Sequence, residues 1–317
     1  MHNPLVSVII PNYCHAKYLD QRIQSVLNQT YKNFEVIILD DCSPDDGASR
    51  AVIEKYRGNP HVSHIVYNDV NSGSTFRQWY KGIEISGGDL IWIAESDDFC
   101  EWNFLETLIP YWEKYPSCSV IESALWSVDS DGKKINPNRK YSGETVFTKG
   151  TEFIKWKLVQ SNFYILNASG VTFRRDTALS VSKDFLDFKA AGDRFFWILM
   201  LEKGDMCEVL KPLNYFRQHS VKVTVKKEYD GTQCRENYRI NQYLKKKGYV
   251  RGIIRVEAFR FYWRYIQTQK FASEDIRNEL LRLWFPWWQR TMLYRAYIEI
   301  FYKVYGKLYT MYKRVSN

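Results

Sequence analysis

The sequence predicts an α/β protein built on a mostly parallel sheet, followed by a helical C-terminal region. Three observations lead there. Short apolar runs alternate with helix-period segments through residues 1 to 128, acidic pairs close two of those runs, and from residue 235 onward only helical periodicity remains.

Val6 to Ile10 reads as a buried strand, and Pro11-Asn12-Tyr13 forces a loop before a helical pattern from Leu19 to Leu27. Glu35 to Leu39 is a second strand. It ends in Asp40-Asp41, and Asp45-Asp46 is placed to start a helix that runs to Tyr56. His61 to Tyr67 alternates more, as a third strand does when one face is less buried. Phe76 to Ile85 is helical, and the Gly87-Gly88 break delivers the chain into a fourth strand, Leu90 to Ala94. Asp97 and Asp98 follow it. Carboxylates at the end of a buried strand are costly unless a cation compensates them, and a divalent metal holding a diphosphate is such a cation. Parallel sheets bind ligands beyond the carboxyl ends of their strands, so Asp40, Asp41, Asp97 and Asp98 are expected in one crevice.

Trp102 to Tyr115 reads as an amphipathic helix and Ser119 to Val128 as a strand closed by the Asp131-Gly132 turn. The pattern weakens up to Tyr164. Residues 168 to 174 resemble a strand, Asp193 to Leu201 a helix, and Met206 to Leu210 and Asn214 to Arg217 two short strands. The C-terminal region is interrupted at Pro286. Beyond it Tyr294, Ile298, Phe301, Tyr305, Leu308 and Tyr312 form one stripe, with Arg295, Glu299, Lys303 and Lys307 opposite. That stripe has three candidate destinations: the sheet domain, a second copy of the chain, or a membrane surface.

The chain has 317 residues, 45% hydrophobic and 26% charged, which suits one large domain with an appendage or two small ones and excludes disorder. Its formal charge of +9 is uneven: residues 240 to 317 hold 16 Lys and Arg against 5 Asp and Glu, a balance of +11 that leaves residues 1 to 239 at −2. A nucleic-acid partner is therefore not expected, because the sheet region is slightly acidic and its crevice strongly so. The six cysteines are scattered without CxxC spacing, which speaks against a disulfide framework or zinc site and for a reducing cytoplasm. Met1-His2-Asn3-Pro4 lacks the basic start of a signal peptide, and no run of about 18 apolar residues offers a spanning helix. Membrane contact is expected to be peripheral at most, on the inner face.

Val6-Ser7-Val8-Ile9-Ile10-Pro11-Asn12-Tyr13, the Asp40-Asp41 strand end, Ser96-Asp97-Asp98 and Gly192-Asp193-Arg194-Phe195-Phe196-Trp197 together resemble family 2 glycosyltransferases, over about residues 5 to 225. The resemblance implies a GT-A fold at 1 to 225, with a nucleotide-sugar half to about 128 and an acceptor half from 129, and a separate helical region at 226 to 317. It gives Pro11 and Tyr13 to the walls of the nucleotide pocket and Asp41 to the base, most often uracil. From the pair alone, Asp40-Asp41 reads first as a strand end that caps a turn, and the full set of four segments reverses that preference.

The same resemblance makes Asp98 the ligand of Mn²⁺ or Mg²⁺ and places Asp97 near the ribose or the water shell of the metal. Glu95 stands where the family often has an apolar or small residue. Asp193 takes the place of the catalytic base, which with no covalent intermediate means inversion; alone, the segment reads equally as a helix cap with Gly192 as hinge. Arg194 departs from the acidic or aromatic residues common there. In Tyr215-Phe216-Arg217-Gln218-His219, His219 is a candidate to complete the metal shell. Arg77 and Lys81 share a helical face and either meet phosphate and sugar or stay solvated.

The implied activity is transfer from a nucleotide-diphospho-sugar, UDP-linked most often, to a glycan or lipid-linked oligosaccharide in surface-polysaccharide synthesis. A nucleotidyltransferase would show a Gly-rich loop after the first strand, and a dehydrogenase GxGxxG; neither is present at Pro11 to His15. A non-catalytic sugar-nucleotide-binding module remains an open alternative, as does a homo-oligomer.

Overall fold

A computed structural model of the chain describes residues 3–137, 144–159, 164–218 and 227–315, with side chains to residue 306 other than those of 136–137. They fall into two units: 1–150, 165–187 and 196–220 in the first, and 151–164, 188–195 and 221–317 in the second.

The first unit is built on one sheet of β1 (Val6–Asn12), β2 (Phe34–Asp40), β3 (Val62–Tyr67), β4 (Leu90–Ile93), β5 (Phe99–Cys100), β6 (Cys118–Val128), β7 (Lys134–Pro137), β8 (Thr145–Thr148), β9 (Val171–Arg174) and β10 (Asp205–Arg217). The order is β3-β2-β1-β4-β9-β6-β10-β5, with β7 paired to β6 and β8 to β10. β1, β2, β3 and β4 run parallel. β9 is antiparallel to both β4 and β6, and β10 is parallel to β6. The α/β class, the mostly parallel sheet and the helical C-terminal region are those the sequence predicts.

The α-helices among the described residues up to 218 are α1 (Ala16–Leu27), α2 (Ala48–Glu54), α3 (Thr75–Ile85), α4 (Phe104–Lys114), α5 (Gly150–Phe153), α6 (Arg175–Ser180) and α7 (Gly192–Leu201). Strand side chains alternate between faces. Val6, Val8 and Ile10 of β1 therefore join Leu19 and Ile23 of α1 and Phe104 and Trp112 of α4 in one core. Ile9 points the other way, toward α3. There Gly82 allows close approach: a Cβ on it would come within 2.4 Å of Ile9 Cγ2. On the same side Trp79 of α3 meets Phe196 and Trp197 of α7 at ring-centroid distances of 6.2 and 6.1 Å.

Two elements differ from expectation. α2 starts at Ala48 because Asp46 and Gly47 adopt left-handed φ values of 52° and 81°. Asp45 still serves the helix start, its Oδ2 accepting the Ser49 N–H at 3.1 Å. β10 is one strand where two were expected; its register shifts on either side of Pro212, which has no N–H to give the ladder.

The second unit contains helices Thr232–Lys246, Gly252–Thr268, Glu274–Trp284 and Met292–Val315, with a 3₁₀ turn at Trp287–Arg290 following Pro286. Cys234, Tyr262, Ile266, Leu280 and Trp284 form its core, in which Tyr262 and Trp284 stack at 3.8 Å between ring centroids. On the last helix Ile298 is buried and Tyr294 and Phe301 are half-buried, as the predicted stripe requires, whereas Tyr305 is exposed. Leu308 and Tyr312 lie outside the described side chains. A second apolar row, Leu293, Tyr297, Ile300 and Val304, is also exposed. Among the described residues no helix is long and apolar enough to cross a membrane, and all six cysteines are free thiols.

Candidate active site

Because β1 has parallel neighbours on both sides, the carboxyl ends of β1, β2 and β4 meet at a topological switch point, the place where such sheets take ligands. Hydrogen bonds stitch the three loops that leave it. Asn12 Nδ2 donates to Asp40 Oδ1 at 2.7 Å, the Cys14 N–H donates to Ser43 Oγ at 2.9 Å, and His15 Nδ1 lies 2.9 Å from Ser96 Oγ. Asp40 also accepts from the Ser43 N–H and hydroxyl, so this carboxylate is structural. Pro11 is buried in β1, and Tyr13, just beyond it, is exposed.

Asp41 is buried, and its two oxygens are used unequally. Oδ1 accepts from Asn68 Nδ2 at 2.6 Å, Gln78 Nε2 at 2.8 Å and the Ser72 N–H at 2.9 Å, while Oδ2 accepts from the Ser72 hydroxyl at 2.7 Å. Asp41 thus gathers the 68–78 segment around itself, and the acceptor capacity left over lies on Oδ2. Lys81, a candidate for phosphate, instead donates to Asn68 Oδ1 at 2.5 Å and joins this network. Arg77 is exposed on α3.

The Asp97-Asp98 pair has the accessibility opposite to that expected from its motif. Asp98 has no exposed surface. Its Oδ1 accepts the Arg217 N–H at 2.9 Å, and Oδ2 accepts from Ser169 Oγ at 2.6 Å and Asn167 Nδ2 at 2.8 Å. Arg22, equally buried, stands 3.9 Å from the same oxygen, and its Nη1 and Nη2 make no hydrogen bond among the described residues. Asp97 is half-buried and is the member of the pair with a path to solvent. Burial, then the charge of Asp97, raise the Asp98 pKa against the opposing effect of Arg22. Glu95 accepts from the Trp79 indole at 2.7 Å, and burial followed by repulsion from Asp97 pushes it up to about 8.

Arg217 went unremarked in the sequence beside His219. It is buried; its Nε donates to the Asp97 carbonyl at 2.7 Å, Nη2 to Gln21 Oε1 at 2.6 Å and Nη1 to the Ser130 carbonyl at 2.8 Å, while its guanidinium lies over Tyr18. The signal for it was positional: a cation at the end of an apolar strand. His219 itself lies outside the described residues.

No three His, Cys, Asp or Glu side chains among the described residues converge as a closed metal cage. Mg²⁺ and Mn²⁺ bound together with a phosphorylated ligand do not need one, since one or two carboxylates, phosphate oxygens and water complete their shell. The donors present fit such a shared ion, with Asp97 as the accessible hard oxygen ligand.

Asp193 belongs to the second unit and opens α7. It is half-buried, and desolvation raises its pKa to about 6 against the hydrogen bond from the Arg194 N–H at 2.7 Å. The segment before it is clamped. The buried Glu236 carboxylate accepts three successive backbone N–H groups, from Lys189 at 2.6 Å, Ala190 at 2.9 Å and Ala191 at 2.8 Å. Arg194 explains its departure from the family pattern. Its guanidinium is buried and donates to the carbonyls of Leu158 and Val159, to Asn237 Oδ1 at 2.6 Å and to Tyr262 Oη at 2.8 Å. Every N–H of the fork is used.

The family model of glycosyl transferase family 2 matches residues 7–178. The poly(ribitol-phosphate) beta-N-acetylglucosaminyltransferase TarP of Staphylococcus aureus is 28% identical over 214 residues, covering 67% of this chain and 62% of TarP. The glycosyltransferase GlyG of Streptococcus pneumoniae is 30% identical over 128 residues, covering 40% of this chain and 42% of GlyG. The chain thus spans less than two thirds of the length of either relative. Among solved structures, S. aureus TarS 1–349 in complex with UDP-GlcNAc shares the fold, with a TM-score of 0.57 and 18% identity over 88% of this chain and 71% of that one. With the motif-bearing strand ends at the switch point and a family model matched across more than half its length, the chain belongs to glycosyl transferase family 2.

Proposed function

We propose that the chain is a metal-dependent, inverting glycosyltransferase that moves a sugar from a UDP-sugar to a glycan or lipid-linked oligosaccharide in surface-polysaccharide synthesis. The observation that carries this reading is the group of Glu95, Asp97 and Asp98 at the switch point, where burial first, and then the charge of Asp97, raise the pKa of both others. A cation relieves that repulsion, and a diphosphate brings one. When bound, Mn²⁺ or Mg²⁺ supplies neutralisation of the departing diphosphate. Asp97 holds the ion, Asp98 fixes the turn that aims Asp97, and His219 is the further ligand suggested by family resemblance.

Asp41 accepts the imide N–H of uracil at Oδ2, with Pro11 and Tyr13 beside the base, and Arg77 meets phosphate. Asp193 takes the proton of the acceptor hydroxyl, and a single displacement inverts the anomeric centre. TarP is named for N-acetylglucosaminyl transfer and TarS is solved with UDP-GlcNAc, so UDP-GlcNAc heads the donors to test. The exposed row Leu293, Tyr297, Ile300 and Val304 supports peripheral membrane contact or pairing with a second copy.

The test is thermal stabilisation by a panel of nucleotide sugars with and without Mn²⁺. A UDP-sugar is expected to raise Tm only with the metal present. If no uridine nucleotide shifts the melt, or the shift ignores the metal, the reading fails.

A further inference from the structure

We infer that the C-terminal unit carries a second site, a cavity that takes an anionic amphiphile: a phosphate-bearing headgroup on a hydrocarbon chain. This inference is independent of the donor site. The cavity has a volume of about 670 Å³ and lies between the helices of that unit, walled by Phe259, Phe285, Trp288, Tyr294 and Phe301. At about 30 Å³ per water-sized group, it has room for a chain of roughly 20 heavy atoms.

Its charged groups are few and of one sign. Lys245 and Arg255 line it with exposed side chains, and neither pairs with a carboxylate among the described residues. No Asp or Glu lines it. Two unpaired cations at one rim repel each other, and desolvation and the charge of Arg255 both lower the Lys245 pKa. An anion at the rim removes that cost. Asn241, one helical turn from Lys245, also lines the cavity; it is 2% exposed, and its Nδ2 makes no hydrogen bond among the described residues. A buried amide donor without an acceptor is expensive, and a headgroup oxygen supplies the acceptor.

Most of the remaining wall is aliphatic and aromatic carbon, which a hydrocarbon chain fills; its other polar tips are the Gln289 amide, the Tyr294 and Tyr297 hydroxyls and the tryptophan indoles, so a nucleotide is included among the competitors. The apolar surface also continues outward. Tyr297 lines the cavity and belongs to the exposed row with Leu293, Ile300 and Val304, so the cavity opens onto apolar surface that a bilayer would meet.

The experiment titrates the full chain with monomeric dodecyl phosphate and reads tryptophan emission, since Trp284 and Trp288 line the cavity. Saturable binding is expected, at least tenfold tighter than that of dodecyl maltoside, inorganic phosphate or UMP. Lys245→Glu with Arg255→Glu is expected to weaken dodecyl phosphate tenfold or more while leaving Tm unchanged, both side chains being exposed; either single substitution carries the same test. Equal binding of dodecyl maltoside would reduce the site to a greasy hole. Equal binding of phosphate or UMP, or undiminished binding by the charge-reversed variant, would equally overturn the assignment. Flotation then distinguishes the sources. Recruitment to phosphatidylglycerol vesicles identifies a bilayer lipid, recruitment only by polyprenyl phosphate in phosphatidylcholine vesicles identifies the lipid carrier, and recruitment by neither refutes the proposal.

Discussion

Removing the carboxylate of Asp97 and removing that of Asp98 are expected to move stability in opposite directions. Asp98→Ala strands the buried Arg22 and three donors, at a cost of about 3 kcal/mol or more. Asp97→Asn lifts the repulsion on Glu95 and Asp98, so the melting temperature without ligand should hold or rise, while the metal-dependent shift with UDP-sugar disappears. Thermal melts of both variants check this, and a matching fall in Tm for Asp97→Asn would contradict the assigned roles. Asp193 yields a pH prediction. Its pKa in the fold, about 6, lies above the ordinary aspartate value, so the fold favours the protonated form, and the stability that form confers is lost as pH rises through 6. Asp193→Asn should therefore match or exceed the parent Tm at pH 7.5 while turnover falls roughly 10³-fold. In the parent, kcat/KM should drop with decreasing pH below about 6. The sequence motif pointed to Asp193 as the residue proposed for the base. It could not reveal the work of Arg194, whose partners Leu158 and Tyr262 lie 36 and 68 residues away.

At the scale of elements, the strands that hold the crevice were legible because they are buried on both faces and read as unbroken apolar runs. β5 and β7 were not; Phe99–Cys100 and Lys134–Pro137 are too short to establish a period and exist because a neighbour offers a ladder. The packing of α3 on β1 depends on Gly82. Gly82→Ala gains helix propensity but drives a methyl into Ile9, so a net loss of about 1 kcal/mol is expected, measurable by urea unfolding. The segment entering α7 gives a kinetic prediction. Glu236→Gln keeps the shape of the clamp but weakens its hold on three backbone N–H groups, and kcat should fall roughly ten- to a hundredfold with donor KM unchanged. Equal changes in both parameters would mean that Glu236 does not act through the base.

Over the whole molecule, the charge division between residues 1–239 and 240–317 is plain in composition, and so is the helical nature of the second part. The double apolar surface of the last helix was only half legible: the row at Tyr294, Ile298 and Phe301 packs inward, and the neighbouring row through Ile300 remains outside. Ile300→Glu, at an exposed position, should leave folding intact and abolish either self-association or vesicle binding. Sedimentation and flotation decide which, and a parent chain that does neither would leave the row without a role. That residues 151–164 and 188–195 belong with the helical region was not legible, because they join the second unit through partners distant in sequence.

The clamp on Asp193 has a consequence for modularity. A chain cut after residue 225, where composition invites the cut, would keep the proposed base, Asp193, and discard Glu236, Asn237 and Tyr262. The guanidinium of Arg194 would then lose two of its acceptors, and the peptide leading to Asp193 its anchor. The C-terminal helices are therefore not an interchangeable tail. Any exchange of this region between relatives has to carry those three side chains with it, or supply their equivalents, for the base to keep its aim.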